Sequence, residues 1–284
     1  MLRRLNFRGA LMFPPGHYYS PLPDIESLKP GDTSMAFDGE ECWEHIELRA
    51  EKQRDYYEDL LERFPSLPFP KHKSPDYLYF ADNDYFPLPD AFTLSGIIRR
   101  EKPRRIIEAG SGFSSAVMLD TLKHTHAPAA LTFIEPFPDR LHSLLSPAEK
   151  SAATILVRPV QEVPLTVFDQ LEARDVLFID SSHVAKIGSD LVFIILRVLP
   201  RLKPGVLIHF HDVFYPFSYP VSWIYKGLAW NESIFLRAFL LGNPGFEIMA
   251  FNSFASHSFP GIFQKQFPDF LNNPGASIWL KKTA

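Results

Sequence analysis

Four apolar runs in this chain end on groups that can do chemistry. "RRIIEAGSGFSSAVMLD" (104–120) carries Glu108 and then glycines at 110 and 112, and "LTFIEP" ends on Glu135. "DVLFIDSSH" ends on Asp180 with Ser182 and His183 behind it, and "GVLIHFHD" ends on His209, His211 and Asp212. Acids and imidazoles in such places bind cations, hold ribose hydroxyls or move protons. A turn with two spaced glycines between a strand and a helix lets backbone N–H groups approach a ligand, which points to a nucleotide. A dinucleotide site prefers G-x-G-x-x-G, but the third position here is Ser115, and Glu108 stands two residues before the first glycine. A carboxylate there repels a diphosphate and suits a cationic nucleoside, so S-adenosylmethionine is favoured over NAD. Glu135, 27 residues after Glu108, fits the hydroxyls of a ribose with either ligand.

These residues need a frame. From Arg105 onward, short apolar runs alternate with helical patterns: "RIIEAG", "LTFIEP", "ATILVRP", "DVLFID", "GVLIHFHD", "FEIMAFN" and "ASIWLKK". Such alternation predicts an α/β domain, a mostly parallel sheet with helices on both faces. Ligands of open sheets lie beyond the carboxyl ends of the strands, where Glu108, Glu135, Asp180 and the His211/Asp212 pair fall. Upstream, residues 40–64 place Trp43, Ile46, Ala50, Tyr57, Leu60, Leu61 and Phe64 at helical spacing before Pro65. Cys42 reads as a packed residue of that helix. "PDAFTLSGIIRREKPRR" offers Asp90 as a cap and Leu94, Ile97 and Ile98 as a buried stripe. "KIGSDLVFIILRVLPRL" puts Ile187, Leu191, Ile194, Ile195 and Val198 on one side of a helix. Residues 1 to about 40 read as extended chain pinned by Pro and aromatics, one of many such stretches among the 26 prolines.

Composition narrows the partners. The 29 Lys and Arg against 33 Asp and Glu leave no positive field for a phosphate backbone, so nucleic acid is excluded. One cysteine precludes an internal disulfide framework or a cysteine-based zinc site and fits a reducing compartment. No run reaches the ~20 apolar residues of a membrane span, and the basic N-terminus lacks the apolar segment of a signal peptide. The expectation is a cytoplasmic protein with no membrane partner.

Taken in order, "RRIIEAGSGFSSAVMLD", "FIEP", "DVLFIDSSHVAKIGSDL" and "LPRLKPGVLIHFHDVFYP" resemble the class I S-adenosylmethionine-dependent methyltransferases, and more narrowly a bacterial small-molecule group. The resemblance covers roughly residues 80 to 284 and implies a Rossmann-like domain over 81–284, with 1–80 as an N-terminal extension packed on it. It implies a seven-stranded sheet of order 3-2-1-4-5-7-6 whose seventh strand is antiparallel. It further implies that Glu108 engages the methionine end of the cofactor, that Gly110, Ser111, Gly112 and Ser114 line it, and that Glu135 binds the ribose. Gln161 lies near the adenine, although Asp or Asn is more usual there, and Asp180 shares the rim.

The implied reaction is methyl transfer to a small, hydroxyl-bearing acceptor, which needs alignment and removal of the hydroxyl proton. Two mechanisms stay open. In one, Asp180 and Asp212 hold a divalent ion, magnesium or a similar one, as in the catechol-type O-methyltransferases; His211 departs from the oxygen ligands usual there. Strand alternation places Asp212 opposite His209 and His211, which argues against a cage of all three. In the other, His183 or His211, beside Asp180, is a metal-free base; His209 reads as a core histidine. The aromatic segment "YPFSYPVSWIYKGLAWNESIFLRAFL" is either acceptor wall or packing. Rival functions are a nicotinamide-dependent Rossmann oxidoreductase and a methyltransferase fold that only binds nucleoside or does other chemistry. The acceptor and the oligomeric state, a homo-oligomer included, are not legible.

Overall fold

Each of the seven apolar runs forms a strand: β1 (Arg105–Ala109), β2 (Ala130–Ile134), β3 (Thr154–Leu156), β4 (Val176–Ile179), β5 (Leu207–Phe210), β6 (Phe246–Phe251) and β7 (Ile278–Lys282). They come from a computed structural model that describes residues 12–26, 28 and 45–284. The sheet runs β3-β2-β1-β4-β5-β7-β6. β1 to β5 pair in parallel, whereas β7 is antiparallel to both β5 and β6. That inserted strand separates this sheet from the 3-2-1-4-5-6 order of a dinucleotide fold.

Alternation along the strands feeds two apolar layers. Ile107, Leu177, Ile179, Ile208 and Phe210 face one, and Ile106, Val176, Phe178, Leu207 and Trp279 face the other. Both faces are covered, as a parallel sheet requires. In register, Ala109 lies beside Ile179 and Ile179 beside Phe210. The residues that follow, Gly110, Asp180 and His211, therefore leave the sheet in one row.

α1 (Ala50–Arg63), α2 (Leu88–Glu101) and α3 (Phe113–Thr125) sit with the second layer. Leu94, Ile97 and Ile98 of α2 are buried, as their spacing predicts. On the first layer lies Asp190–Phe193, which runs on through a π turn, Ile194–Val198, and is capped by the Ser189 hydroxyl accepting from the Val192 N–H. α4 (Glu232–Leu240) joins it, and α5 (Asn252–Ser258) follows β6.

Three expectations need correction. The helix predicted from residue 40 starts at Ala50: Arg49 has φ 54°, a left-handed value that breaks the pattern, and Ile46 is buried without being helical. Trp43 and Cys42 lie outside the described residues. Ile187 precedes its helix and is fully exposed. Asp90 is no cap; it lies inside the first turn of α2, fully buried, and looks toward the site.

Candidate functional site

The glycine turn is shaped first by the neighbouring strand. Gly110 has φ 84°, and a Cβ there would sit 1.7 Å from the carbonyl oxygen of Asp180. No other residue fits between β1 and β4 at this point. The turn then spends its N–H groups: Gly110 donates to Ile134 O at 3.0 Å, Ser111 to Glu135 Oε2 at 3.0 Å, and Gly112 to Ser115 Oγ at 3.1 Å. Glu135 also accepts from the Phe137 N–H at 2.8 Å, so its carboxylate is fixed at the rim by two backbone donors.

Glu108 does something other than expected. It is fully buried, accepts from the Ser114 hydroxyl at 2.5 Å and from that of Ser115, and lines neither cavity of the site. It bolts the start of α3 to β1 through these two hydroxyls. Burial pushes its carboxyl up to about 8, against the two serine hydroxyls, which favour the charged form, and with the help of Asp180.

Beyond β4 and β5, the predicted residues converge. His183 Nε2 stands 3.5 Å from Asp180 Oδ1 and 3.6 Å from Asp212 Oδ2. His211 Nδ1 lies 3.4 Å from Asp180 Oδ1 and 3.7 Å from Asp212 Oδ1. The alternation argument fails because β5 ends at Phe210 and Asp212 takes φ 55°, which turns its carboxylate back beside His211. His183 is also left-handed, φ 58°, and its carbonyl accepts from the N–H groups of Asn231 and Glu232 at 3.1 and 3.2 Å.

Two acids join this cluster unforeseen. Glu232, buried in the first turn of α4, meets His183 Nδ1 at 2.6 Å. Asp90 Oδ2 meets His211 Nε2 at 3.3 Å. The signals were there in principle: an acid in the otherwise apolar "LPDAFTLSG", and the "NE" pair that opens α4. Asp90 reads as a helix cap and Glu232 falls within the aromatic segment, because nothing local says what such an acid faces across the fold.

The charges follow from this crowding. Burial pushes His183 down, but Glu232 and then Asp180 outweigh it and carry it up to about 10. His211, likewise opposed by burial, is held well above its usual range by Asp212 and Asp180. The surrounding acids thus draw both imidazoles toward the charged form. Burial pushes Asp180 up, but His211 and His183 win and hold it well below the usual carboxylate range. For Asp212 burial prevails over the same histidines and the carboxyl rises. His209 is a neutral core residue, lowered by burial and then by His211, stacked 3.7 Å from Phe178 and bonded to Ser277 at 2.9 Å.

Two cavities flank the row. One, about 430 Å³, is bounded by Gly110, Ile134, Glu135, Val160, Gln161 and Ser189. Gln161 is exposed and donates to Gly188 O at 3.2 Å. The other, about 380 Å³, takes in Ser111, Gly112, Ser114, His183, His211 and Asp212, with Tyr85 and Trp230 as aromatic walls. Glu135 and Asp180–Ser182 border both. The aromatic segment divides: Trp230 lies 4.3 Å from the His183 ring at the cavity, while Phe217 and Tyr219 are packing.

Residues 107–213 match a family model described as a methyltransferase domain. An uncharacterized protein of Archaeoglobus fulgidus is 32% identical over 172 residues, 57% of this chain and 74% of that one. The chain thus carries a methyltransferase domain and belongs to one family with this archaeal protein. Among solved structures, a Podospora anserina methyltransferase crystallised with S-adenosylhomocysteine aligns at 16% identity over 88% of this chain and 99% of its own, with a TM-score of 0.45. The O-methyltransferase TomG of Streptomyces achromogenes, solved with S-adenosylmethionine, aligns at 16% identity over 85% and 93%, with a TM-score of 0.43.

Proposed function

We propose that this protein is a methyltransferase that binds S-adenosylmethionine along the Gly110–Gly112 turn and methylates a hydroxyl oxygen of a small molecule. The observation that carries this reading is the border shared by the two cavities. A nucleoside held by Glu135 and near Gln161 in the first would present its far end at Asp180, beside the histidine–carboxylate cluster of the second. When bound, the cofactor supplies an electrophilic methyl group on a sulfonium. The chain supplies alignment: Glu135, fixed by its two N–H donors, holds the ribose, and the tight turn sets the depth of the nucleoside. Tyr85 and Trp230 flank the acceptor and exclude water.

The donor set also fits a divalent cation. Asp180, His183 and Asp212 offer ligand atoms within 4.8 Å of one another. The 3.5 and 3.6 Å between His183 Nε2 and the two carboxylates are close to the roughly 3 Å that separates neighbouring ligands at about 2.1 Å from an ion. Glu232 holds the other nitrogen of His183, as an outer carboxylate does for a metal-bound imidazole. Such an ion would lower the pKa of the acceptor hydroxyl.

Calorimetry with S-adenosylhomocysteine and with NADH tests the nucleoside, and methyl transfer to a panel of hydroxylated metabolites, with and without a chelator, tests the chemistry. Expected are binding of S-adenosylhomocysteine alone and a roughly tenfold or greater loss in Glu135→Ala, the scale of a charge-assisted bond of about 1.5–3 kcal/mol. Asp180→Asn should cut turnover far more than affinity. Binding of NADH instead, or S-adenosylhomocysteine binding indifferent to Glu135, would sink the reading.

A further inference from the structure

The opposite edge of the sheet carries a second, unrelated constellation. There the first residue of β5, Leu207, and the residues at the ends of β6 and β7 surround a cavity of about 480 Å³. It is separate from the site above: Leu207 and His211 are four residues apart along one strand, about 13 Å. Arg49, Lys52, Arg100, Arg174 and Lys281 line it. They come from four distant stretches of sequence, Arg49 and Lys52 sharing one, so no charge run explains their meeting.

Only two carboxylates accompany them, Glu101 and Glu247. Five cations face two acids in the lining, and Glu47 and Asp59 pair with Arg49 and Arg100 from outside it, which leaves Lys52, Lys281 and Arg174 as the three least engaged cations in a chain whose net charge is −4. The acids are also occupied. Glu247, the cross-strand neighbour of Lys281, pairs with Arg49. Glu101 accepts from the Tyr56 hydroxyl at 3.4 Å and lies 3.7 Å from Arg100 and 3.9 Å from Arg174. Arg100 also bonds Asp59 at 2.9 Å and lies over the Tyr56 ring at 4.0 Å, so its position is fixed. Among the described residues no ion pair engages Lys52 or Lys281, and the Arg174 side chain is 70% exposed. The floor is apolar, made of Leu207, Ile248 and the Tyr56 ring.

The geometry points to a binding site for a diphosphate-bearing small molecule. A terminal phosphate carries about −1.5 to −2 charge at neutral pH and an internal one about −1, so a diphosphate matches these three cations. Arginines fixed by neighbours and lysines free to swing are the groups that hold such oxygens. The volume suits a small ligand, and the apolar floor takes its organic part.

Inorganic pyrophosphate is the probe, read by the methyl resonance of Met249, which lines this cavity. A saturable shift of Met249 is expected in the full chain, weakened by added salt. The exposed pair Lys52→Glu with Lys281→Glu should raise the dissociation constant roughly tenfold or more, and Arg174→Glu should act alike; Lys52→Glu with Lys281→Gln, which sets no like charge opposite Glu247, should weaken binding at an unchanged melting temperature. Repeating the titration with ADP separates free diphosphate from a nucleotide, since tighter binding of ADP assigns the floor to the organic part. An unmoved Met249 at millimolar pyrophosphate, or equal affinity in the charge-reversed variants, overturns the proposal. None of these readouts depends on methyl transfer.

Discussion

Glu108 shows how one residue changes meaning between sequence and structure. From its place ahead of the glycines it reads as a ligand contact, yet it is buried behind them and bonded to Ser114 and Ser115. A carboxyl raised to about 8 binds its proton more tightly folded than unfolded, where its pKa is near 4.5. The native state then holds more protons between those values, and stability falls as pH rises through that window, by up to about 1.4 kcal/mol per pH unit. Glu108→Gln should remove this slope; urea midpoints at pH 5.5 and 7.5 would show it, and parallel slopes in the two proteins would contradict it. Glu135 was legible because an acid that ends a strand has few other places to go. Asp212 was legible as a candidate but not in direction: a left-handed φ at a residue other than glycine leaves no mark in sequence. Asp90 and Glu232 were missed because their partners, His211 and His183, lie 121 and 49 residues away.

Among elements, α1, α2 and α5 meet through one side chain. Asn252, buried at the start of α5, accepts from the Tyr57 hydroxyl at 2.6 Å and from Thr93 at 2.9 Å, and donates to Asp90 Oδ1 at 2.8 Å. Asp90 also accepts from the Ala276 N–H and reaches His211. The first helix is thereby joined to the rim through a chain of buried polar contacts. Asn252→Ala leaves the Tyr57 hydroxyl without its acceptor and takes a donor from Asp90, at a cost of about 2–3 kcal/mol in denaturant unfolding. A loss below half a kcal/mol would mean that water replaces the amide. The strands were readable from apolar runs and spacing and their order from the family resemblance, whereas helix limits were not. Ile46 and Ile187 fall on pattern yet outside helix, since periodicity counts residues and ignores a backbone break such as the one at Arg49.

For the molecule as a whole, the division at residue 80 is our proposal, and it separates parts that share a core. Tyr57, Leu60 and Leu61 of α1 are buried with the α2–α3 layer of the 81–284 domain. A chain starting at residue 81 should lose cooperative thermal unfolding, since it strips three large side chains worth about 1.5–3 kcal/mol each. A sharp transition in calorimetry would show that the extension is dispensable. No helix among the described residues is long and apolar enough to cross a membrane. A Cβ at position 110 would fall 1.7 Å from the Asp180 carbonyl oxygen, so glycine there welds the glycine turn to the end of β4. On the proposed function, diversification toward new acceptors should therefore freeze that weld and randomise Tyr85, Phe113 and Trp230, which line the second cavity.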